Sequence, residues 1–491
     1  MLSPEMQRLR EVRLGNINSL CLTGSANNNR YEHSVGTAYL AKINIKSNKD
    51  TFPKQYEEAF IHAALLHDLG NGPFGHSYEY LVQRQGFDPE KSIAEVVFGK
   101  KIGAHGKSDT FEPFYLGLQN ELSSILTKEE IRIIDEIVKG ENKFCSKLLS
   151  STIDIDNIDN VYRMAFHMGI PIDRHAPIEL AKGMVCKNNN IYFKETAMPY
   201  LYDWYKTRSD LYTLLLYNPQ DFSAKCMLSE LMECVLERDS SIIKWQFTDW
   251  ELVDAFTKLR EEYWCDTLIP ISIDDGLKTT DFADAKTIRE TFKRLKIPIP
   301  DQASISISKV SNRINFSFYS TEYTFENGCL FKKGKKIITN PSQLVSRMMR
   351  GDLYGCVGIF DSSQTEKYEL FSERIQKDRL EMECNYYIEK RLESKHYQIC
   401  FHGIIDKNKT NRQLEIRLES GELFQIGKNT NNLIIGAFVK NKNYGLVNGD
   451  ISTQRRKILK DLIIDFLHIK GITCTEHTLY SEVDCIEKRD Y

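Results

Sequence analysis

The chain has 491 residues and a mass of 56.9 kDa, which at about 100–200 residues per domain suits two to four domains, or one large domain with an appendage. Hydrophobic residues make up 41% and charged residues 27% of it, and 65 Lys and Arg stand against 68 Asp and Glu for a net charge of −3. That balance is globular. It excludes a mainly disordered chain and a polybasic nucleic-acid binder as descriptions of the whole, and leaves only a local basic patch, and so any contact with nucleic acid, undecided.

Taken in chain order, the N-terminal stretch MLSPEMQRLREVRLG has no apolar signal core, so a cytoplasmic protein is expected. Residues 57–68, EEAFIHAALLHD, repeat apolar side chains near the 3.6-residue period and predict a helix stopped by Gly70, Gly72 and Pro73. Further helices are expected within 120–139, with a turn near Thr127, and over 152–168, 199–217, 222–237 and 247–264, the last capped by Thr248 or Asp249. The character changes near residue 297. Ile305, Ile307, Ile314, Phe316 and Phe318 alternate with polar residues, and strands are also expected at 397–405, 413–418, 422–427 and 433–439, before a helix over about 453–470. The division expected is a mainly α region over 1–300 and an α+β C-terminal region over 301–491 whose role the sequence does not give. No stretch reaches the ~20 apolar residues of a membrane helix, so no membrane association is expected. The 12 cysteines form no CxxC pair and read as reduced packing residues.

Three segments carry chemistry: Arg30-Tyr31-Glu32-His33-Ser34, then His67-Asp68-Leu69-Gly70-Asn71-Gly72-Pro73-Phe74-Gly75-His76 with Glu79 after it, and Asp154-Ile155-Asp156-Asn157-Ile158-Asp159. A His-Asp pair at the end of an apolar helix needs partners, because burying an unpaired carboxylate is costly. By itself the pair reads first as ordinary helix C-terminal residues facing solvent. Joined to His33 and Asp156 from two other expected helices, it makes an H…HD…D set of two imidazoles and two carboxylates. Such a set binds Mn, Fe, Mg, Zn, Ni or Co and leaves positions open for water and substrate.

The segments NRYEHSVGTAYLA, LLHDLGNGPFGHSYE and DIDNIDNVYRMAFHMGI resemble the three signatures of the HD-domain metal-dependent phosphohydrolases, and PEMQRLREVRLG matches that family's first helix. The GPFGH run is similar to the deoxynucleoside-triphosphate triphosphohydrolases, both bacterial dGTPase-like enzymes and the animal sterile-alpha-motif HD enzyme. The resemblance covers the first ~220 residues and implies an HD-domain helical bundle. It implies His33, His67, Asp68 and Asp156 as metal ligands, His76 as catalytic histidine, and Glu79 as the acid orienting it. It places Arg30 and Arg208 on phosphate, and puts Tyr217 near an aromatic packing or stacking position. Gln7 and Arg10 match residues that bind an activating nucleotide in the animal enzyme, but occur in relatives where they serve structure alone. A nucleotide substrate and a homo-oligomer are implied as well.

The sequence departs from the animal enzyme after the last ligand, where Asn157, Asn160 and Met164 stand in place of Lys, Tyr and Asp. Asp156, Asn160, Arg163 and His167 share a helix face and are expected to line the pocket. Strict selectivity for deoxynucleotides is therefore open. So is the reaction: a triphosphohydrolase, a phosphodiesterase or nucleotidase acting on cyclic, modified or ribonucleotides, or a nucleotide-sensing assembly module. His105 is either a late substitute for a family histidine or a surface residue.

Overall fold

The computed structural model describes residues 1–15, 28–75, 125–187, 190–238, 247–259, 263–273, 277–295, 297, 299, 303–310, 313–318, 321–326, 329–338, 340–392, 397–440, 446–447, 450–451 and 453–477. It is mainly α, with sheets confined largely to the C-terminal region. The chain forms two compact units. The first comprises Met1–Arg260, Pro341–Leu353 and Asp406–Asn432, and the second Glu261–Asn340, Tyr354–Ile405 and Leu433–Tyr491. The chain thus changes unit at 260/261 and returns to the first unit twice.

The first unit is built from α1 (Arg30–Ser47), α2 (Glu57–Leu66), α3 (Lys128–Val138), α4 (Ile155–His167), α5 (Ala176–Gly183), α6 (Met198–Tyr217), α7 (Pro219–Arg238), α8 (Asp249–Lys258) and α9 (Pro341–Met349). Their starts are written in the sequence. The Asn29 carboxamide accepts from the Glu32 amide at 2.9 Å, and Asp154 does the same for Asn157 at 2.6 Å. Thr127 with Glu130 and Thr248 with Glu251 make full capping boxes. Ile155, Ile158, Val161, Tyr162 and Ala165 form the buried stripe of α4, spaced three and four apart as a helix on a core requires. On α1 the buried face is unusually polar, with Arg30, His33, Ser34, Thr37 and Asn44 among its members. A face like that is stable only if each group finds a partner.

The helix expected over 247–264 ends at Lys258, and a strand, Tyr263–Ile273, replaces its last turn. A β-branched and aromatic run there favours the sheet. A short antiparallel hairpin not anticipated from the sequence, Met184–Lys187 with Asn190–Phe193, follows α5. Two expected strands pair as a second hairpin, Leu414–Arg417 with Leu423–Ile426. That hairpin belongs to the first unit: the Glu419 amide donates to the Phe193 carbonyl at 3.0 Å, and the Tyr205 hydroxyl of α6 donates to Asn411 at 3.3 Å.

In the second unit a five-stranded antiparallel sheet runs in the order Tyr263–Ile273, Cys329–Ile338, Thr321–Glu326, Arg313–Phe318, Ile305–Val310. Ile314, Phe316 and Phe318 turn inward onto Phe282, Ile288 and Phe292, as their period of two requires. A four-stranded sheet places Leu433–Val439 between Gly355–Ser362 and Ile399–Ile405. Every residue of that central strand is buried, which is why it reads as an unbroken apolar run. The expected terminal helix is Thr453–Ile469. Among the described residues no helix is long and apolar enough to cross a membrane.

Gly427 lets the second hairpin dock. Its φ is +81°, and a Cβ there would lie 2.5 Å from both the Arg412 carbonyl and the Tyr205 hydroxyl. Gly427→Ala is expected to lower stability by at least ~1–2 kcal/mol, the cost of left-handed backbone for an alanine, with the overlap adding to it. Thermal unfolding followed by circular dichroism checks this, and an unchanged melting temperature would show that the contact is dispensable.

Candidate metal centre

α1 brings His33 from its N-terminal turn, α2 delivers His67 and Asp68 as it ends, and α4 brings Asp156 from its first turn. Donor atoms of His33, His67 and Asp68 all lie within 4.8 Å of one another. Asp156 Oδ1 stands 2.9 Å from His33 Nε2 and 3.5 Å from His67 Nε2. The four residues expected to be ligands are therefore together.

The orientation of the imidazoles is set from behind. His33 Nδ1 donates to Asp159 Oδ2 at 2.8 Å, and Asp159 is held in turn by Arg163, whose Nε and Nη2 each donate to it at 2.8 Å. His67 Nδ1 donates to the Ala64 carbonyl at 2.9 Å. Both rings thus present Nε2 to the centre. For His67 that atom is buried with no hydrogen-bond partner among the described residues, a lone pair for which a metal ion is the natural acceptor. Asp68 is steadied on both oxygens, by Asn71 Nδ2 at 2.6 Å and Arg30 Nη1 at 2.8 Å. A divalent metal fits this donor set of two imidazoles and two carboxylates.

The electrostatics agree. Burial presses His33 toward neutrality, but its hydrogen bonds to Asp156 and Asp159 and their charges outweigh it and hold the pKa at about 10. Burial is likewise overcome at His67, which Asp68 and Asp156 raise. Asp68 is driven down despite burial by Arg30, then by the two histidines. The cavity prefers positive charge at its middle, and a divalent ion satisfies it with both imidazoles neutral. Asp154, in contrast, is raised to about 7 by burial and by Asp156, while its oxygens cap α4 through Asn157.

The other expected residues have partners of their own. Arg30 is buried and engages Asp68. Arg208 on α6 is buried, and its Nη1 donates to the Lys409 carbonyl at 2.6 Å. Tyr217 ends α6 within the core. Asn160 is half-buried, and its buried Oδ1 is the exception, with no hydrogen-bond partner among the described residues. Met164 is buried, and Asn157 is taken up by Asp154. Gln7 Nε2 donates to the Met1 carbonyl, Arg10 Nε donates to Gln7, and the Arg10 guanidinium lies 3.8 Å from the centre of the Tyr31 ring. His76, Glu79 and His105 lie outside the described residues.

The sequence reading passed over Asp159 as the residue that orients His33. Its spacing was a usable signal, since Asp159 lies three residues after Asp156 and four before Arg163, all on neighbouring helix faces. It also passed over Gly36, where any Cβ would collide with both Asp159 and Arg163, and Arg8. Arg8 ties the segment after the His-Asp pair to the N-terminus through the carbonyls of Leu69 at 3.2 Å and Asn71 at 2.6 Å.

Residues 30–164 match the HD domain family. The chain carries an HD domain. It is 27% identical over 300 residues to deoxynucleoside triphosphate triphosphohydrolase SAMHD1 of Gallus gallus, covering 54% of this chain and 48% of that protein. It is 24% identical over 231 residues to the uncharacterized protein YwfO of Bacillus subtilis, covering 46% and 49%. The matched stretch thus spans about half the length of these curated relatives. A hypothetical protein from Aquifex aeolicus has the same fold, with a TM-score of 0.53, 13% identity and coverage of 94% of this chain and 93% of that one. His33, His67, Asp68 and Asp156 all fall within the residues that match the HD domain, and the chain resembles the dNTP triphosphohydrolase group of HD-domain phosphohydrolases.

Asp159→Asn removes the carboxylate behind His33 and is expected to weaken metal binding by about 10- to 100-fold, the usual weight of such a supporting partner. Titration calorimetry with Mn²⁺ measures it, and Gly36→Ala should act in the same direction. Wild-type affinity in both variants would show that His33 is oriented by something else.

Proposed function

We propose that the HD domain makes this chain a metal-dependent hydrolase of nucleotide phosphoesters, and that it cleaves (deoxy)nucleoside triphosphates to nucleoside and triphosphate. The observation that supports this most is the pair of inward-facing Nε2 atoms, His33 and His67, closed by Asp68 and Asp156 and backed by Asp159 and Arg163. The relatives named SAMHD1 point to the triphosphate chemistry. A divalent ion held by these four residues would keep positions for water and substrate, and would supply Lewis acidity toward a phosphoryl oxygen and a water of lowered pKa.

The chain's own residues do the rest. His33 and His67 offer neutral donors because Asp159 and the Ala64 carbonyl take their other ring protons. Asp68 keeps its charge through Arg30. Arg208 offers a planar guanidinium to phosphate, suited to two oxygens at once. His76, the catalytic histidine by resemblance, would donate a proton to the leaving oxygen, with Glu79 favouring its cationic form. The pattern Asn157, Asn160 and Met164 supports a second reading in the same class, hydrolysis of ribonucleotides or of cyclic or modified nucleotides. Homo-oligomerisation and an activating nucleotide at Gln7 and Arg10 belong to the proposal by resemblance only.

A screen of dNTPs, NTPs and cyclic nucleotides with Mn²⁺, Mg²⁺ and Co²⁺, its products separated by chromatography, tests the assignment. Released triphosphate supports the first reading, orthophosphate with nucleoside or an opened cyclic nucleotide the second, and no product with any metal overturns both. His67→Ala is expected to lose bound metal and turnover together while keeping its circular dichroism spectrum. His76→Ala should retain metal and lose roughly 10²–10⁴-fold in turnover, the weight of a general acid. Turnover within a few-fold of wild type would remove His76 from the mechanism.

A further inference from the structure

The segment Asp406–Asn432 is the part of the C-terminal region that rejoins the HD-bearing unit, and its first turn is heavily constrained. The Asp406 carboxylate accepts from the amides of Lys409 and Thr410 and from the hydroxyls of Thr410 and Thr430, at 2.6–3.1 Å. Between them Lys407 and Asn408 both adopt left-handed backbone, with φ of 50° and 59°. Two such residues in succession are unfavourable and persist only where surrounding bonds impose them. The outcome is a rigid loop whose Asn408 and Lys409 carbonyls receive Arg208 Nη1, at 3.4 and 2.6 Å.

This loop brings cations to one aromatic ring. The Arg208 guanidinium lies 4.8 Å, and Lys409 Nζ 5.8 Å, from the centre of the Tyr212 ring. Arg412 and Lys225 lie close enough for their charges to act on this group, on Arg208 and on Lys409 respectively. None of the four cations has an ion-pair partner among the described residues. Asp221, one turn before Lys225 on α7, is fully buried with neither oxygen hydrogen-bonded among the described residues, and burial raises it to about 8 against the pull of Lys225. Lys225 itself is pressed down to about 8 by burial and by Lys409. Tyr212 also feels the charge of Asp156, so the metal ligand and the basic cluster share a neighbour. The Asp406 carboxylate also acts on Arg208 and Lys409, but one such anion among several cations leaves a positive surplus that suits an anion of several charges.

We propose that Lys409 and Arg412, carried by the loop that begins at Asp406, join Arg208 and Lys225 in a cradle for the phosphate chain of the substrate, so that the C-terminal hairpin is part of the active site. This rests on the reading of the HD domain as a nucleotide phosphohydrolase. The cradle favours a long phosphate chain over a short one: tripolyphosphate binds more tightly than pyrophosphate, and pyrophosphate more tightly than orthophosphate. Lys409 and Arg412 select for chain length, and the metal centre carries out the cleavage.

The test uses the full chain with free Mn²⁺ held constant. Binding of inorganic tripolyphosphate is measured by calorimetry, and its inhibition of nucleotide hydrolysis is measured alongside. Lys409→Gln and Arg412→Gln should each weaken tripolyphosphate binding by about tenfold, the scale of one charge-assisted hydrogen bond, and raise KM more than they lower kcat. Lys428→Gln, exposed on the same hairpin, should bind as wild type does, and Lys409→Arg should recover most of the loss. Melting temperature and metal content serve as folding controls, and Arg412→Gln alone decides if a Lys409 variant fails to fold. Competitive inhibition supports the placement. Unchanged affinity in Lys409→Gln and Arg412→Gln, or inhibition that nucleotide does not relieve, overturns it. If tripolyphosphate binds through these residues but no nucleotide is hydrolysed, the activity proposed above fails and the cradle stands. If nucleotides are hydrolysed while both variants bind normally, the cradle alone fails.

Discussion

Carboxylates taken out of water must be hydrogen-bonded, charge-paired or bound to metal, and the HD domain gathers three of them, Asp68, Asp156 and Asp159, around two imidazoles. Much of the architecture comes from meeting that requirement. Arg30 is buried at the start of α1 because Asp68 needs it, and Arg163 lies across Gly36 because Asp159 needs it. Arg8 reaches back to the carbonyls of Leu69 and Asn71, which fixes the turn that carries Asp68 and its partner Asn71. Once these bonds are made, the one demand left at the centre is for a cation. His33 and His67 can meet it with protons or leave it to a metal, and their Nδ1 bonds prepare them for the second.

The fold then divides the labour between regions of very different sequence distance. The helices of the first unit place these donors by packing, each near a helix end, with the backbone at His33 and Asp156 also fixed by the Asn29 and Asp154 caps. The Asp406–Asn432 hairpin is placed by directed bonds: a carboxylate that organises its own turn, a close approach at Gly427, and carbonyls offered to Arg208. A loop held so firmly can present lysine and arginine side chains to a polyanion with little ordering left to be done on binding.

Some of this could be read directly from the residues. The candidate ligands His33, His67, Asp68 and Asp156 were legible because a His-Asp pair ending an apolar helix, joined to a histidine and an aspartate from two other expected helices, makes a donor set suited to metal. The helix start at Thr248 was legible because capping is local, and the strands over 305–318 because alternation is local too. The turn from α8 into the strand Tyr263–Ile273 was not, since WELVDAFTKLREEYW keeps a helical period past the point where sheet pairing takes over. Nor was the role of Asp159, one carboxylate among several on the same stretch until His33 is seen to face it.

The sequence by itself therefore determined the candidate donor set, the mainly helical character of the region before the strand Tyr263–Ile273 and the strand-rich character of the C-terminal region, because each of these is encoded in residue type and in spacings of a few positions. Only the tertiary structure decided which carboxylate stands behind His33, why position 36 must be glycine, and that residues 406–432 belong with the HD domain. Those outcomes depend on hydrogen bonds and close contacts between residues far apart in the chain, such as Arg208 with Lys409 and Gly427 with Tyr205, and no local pattern records which distant partner a buried polar group will meet.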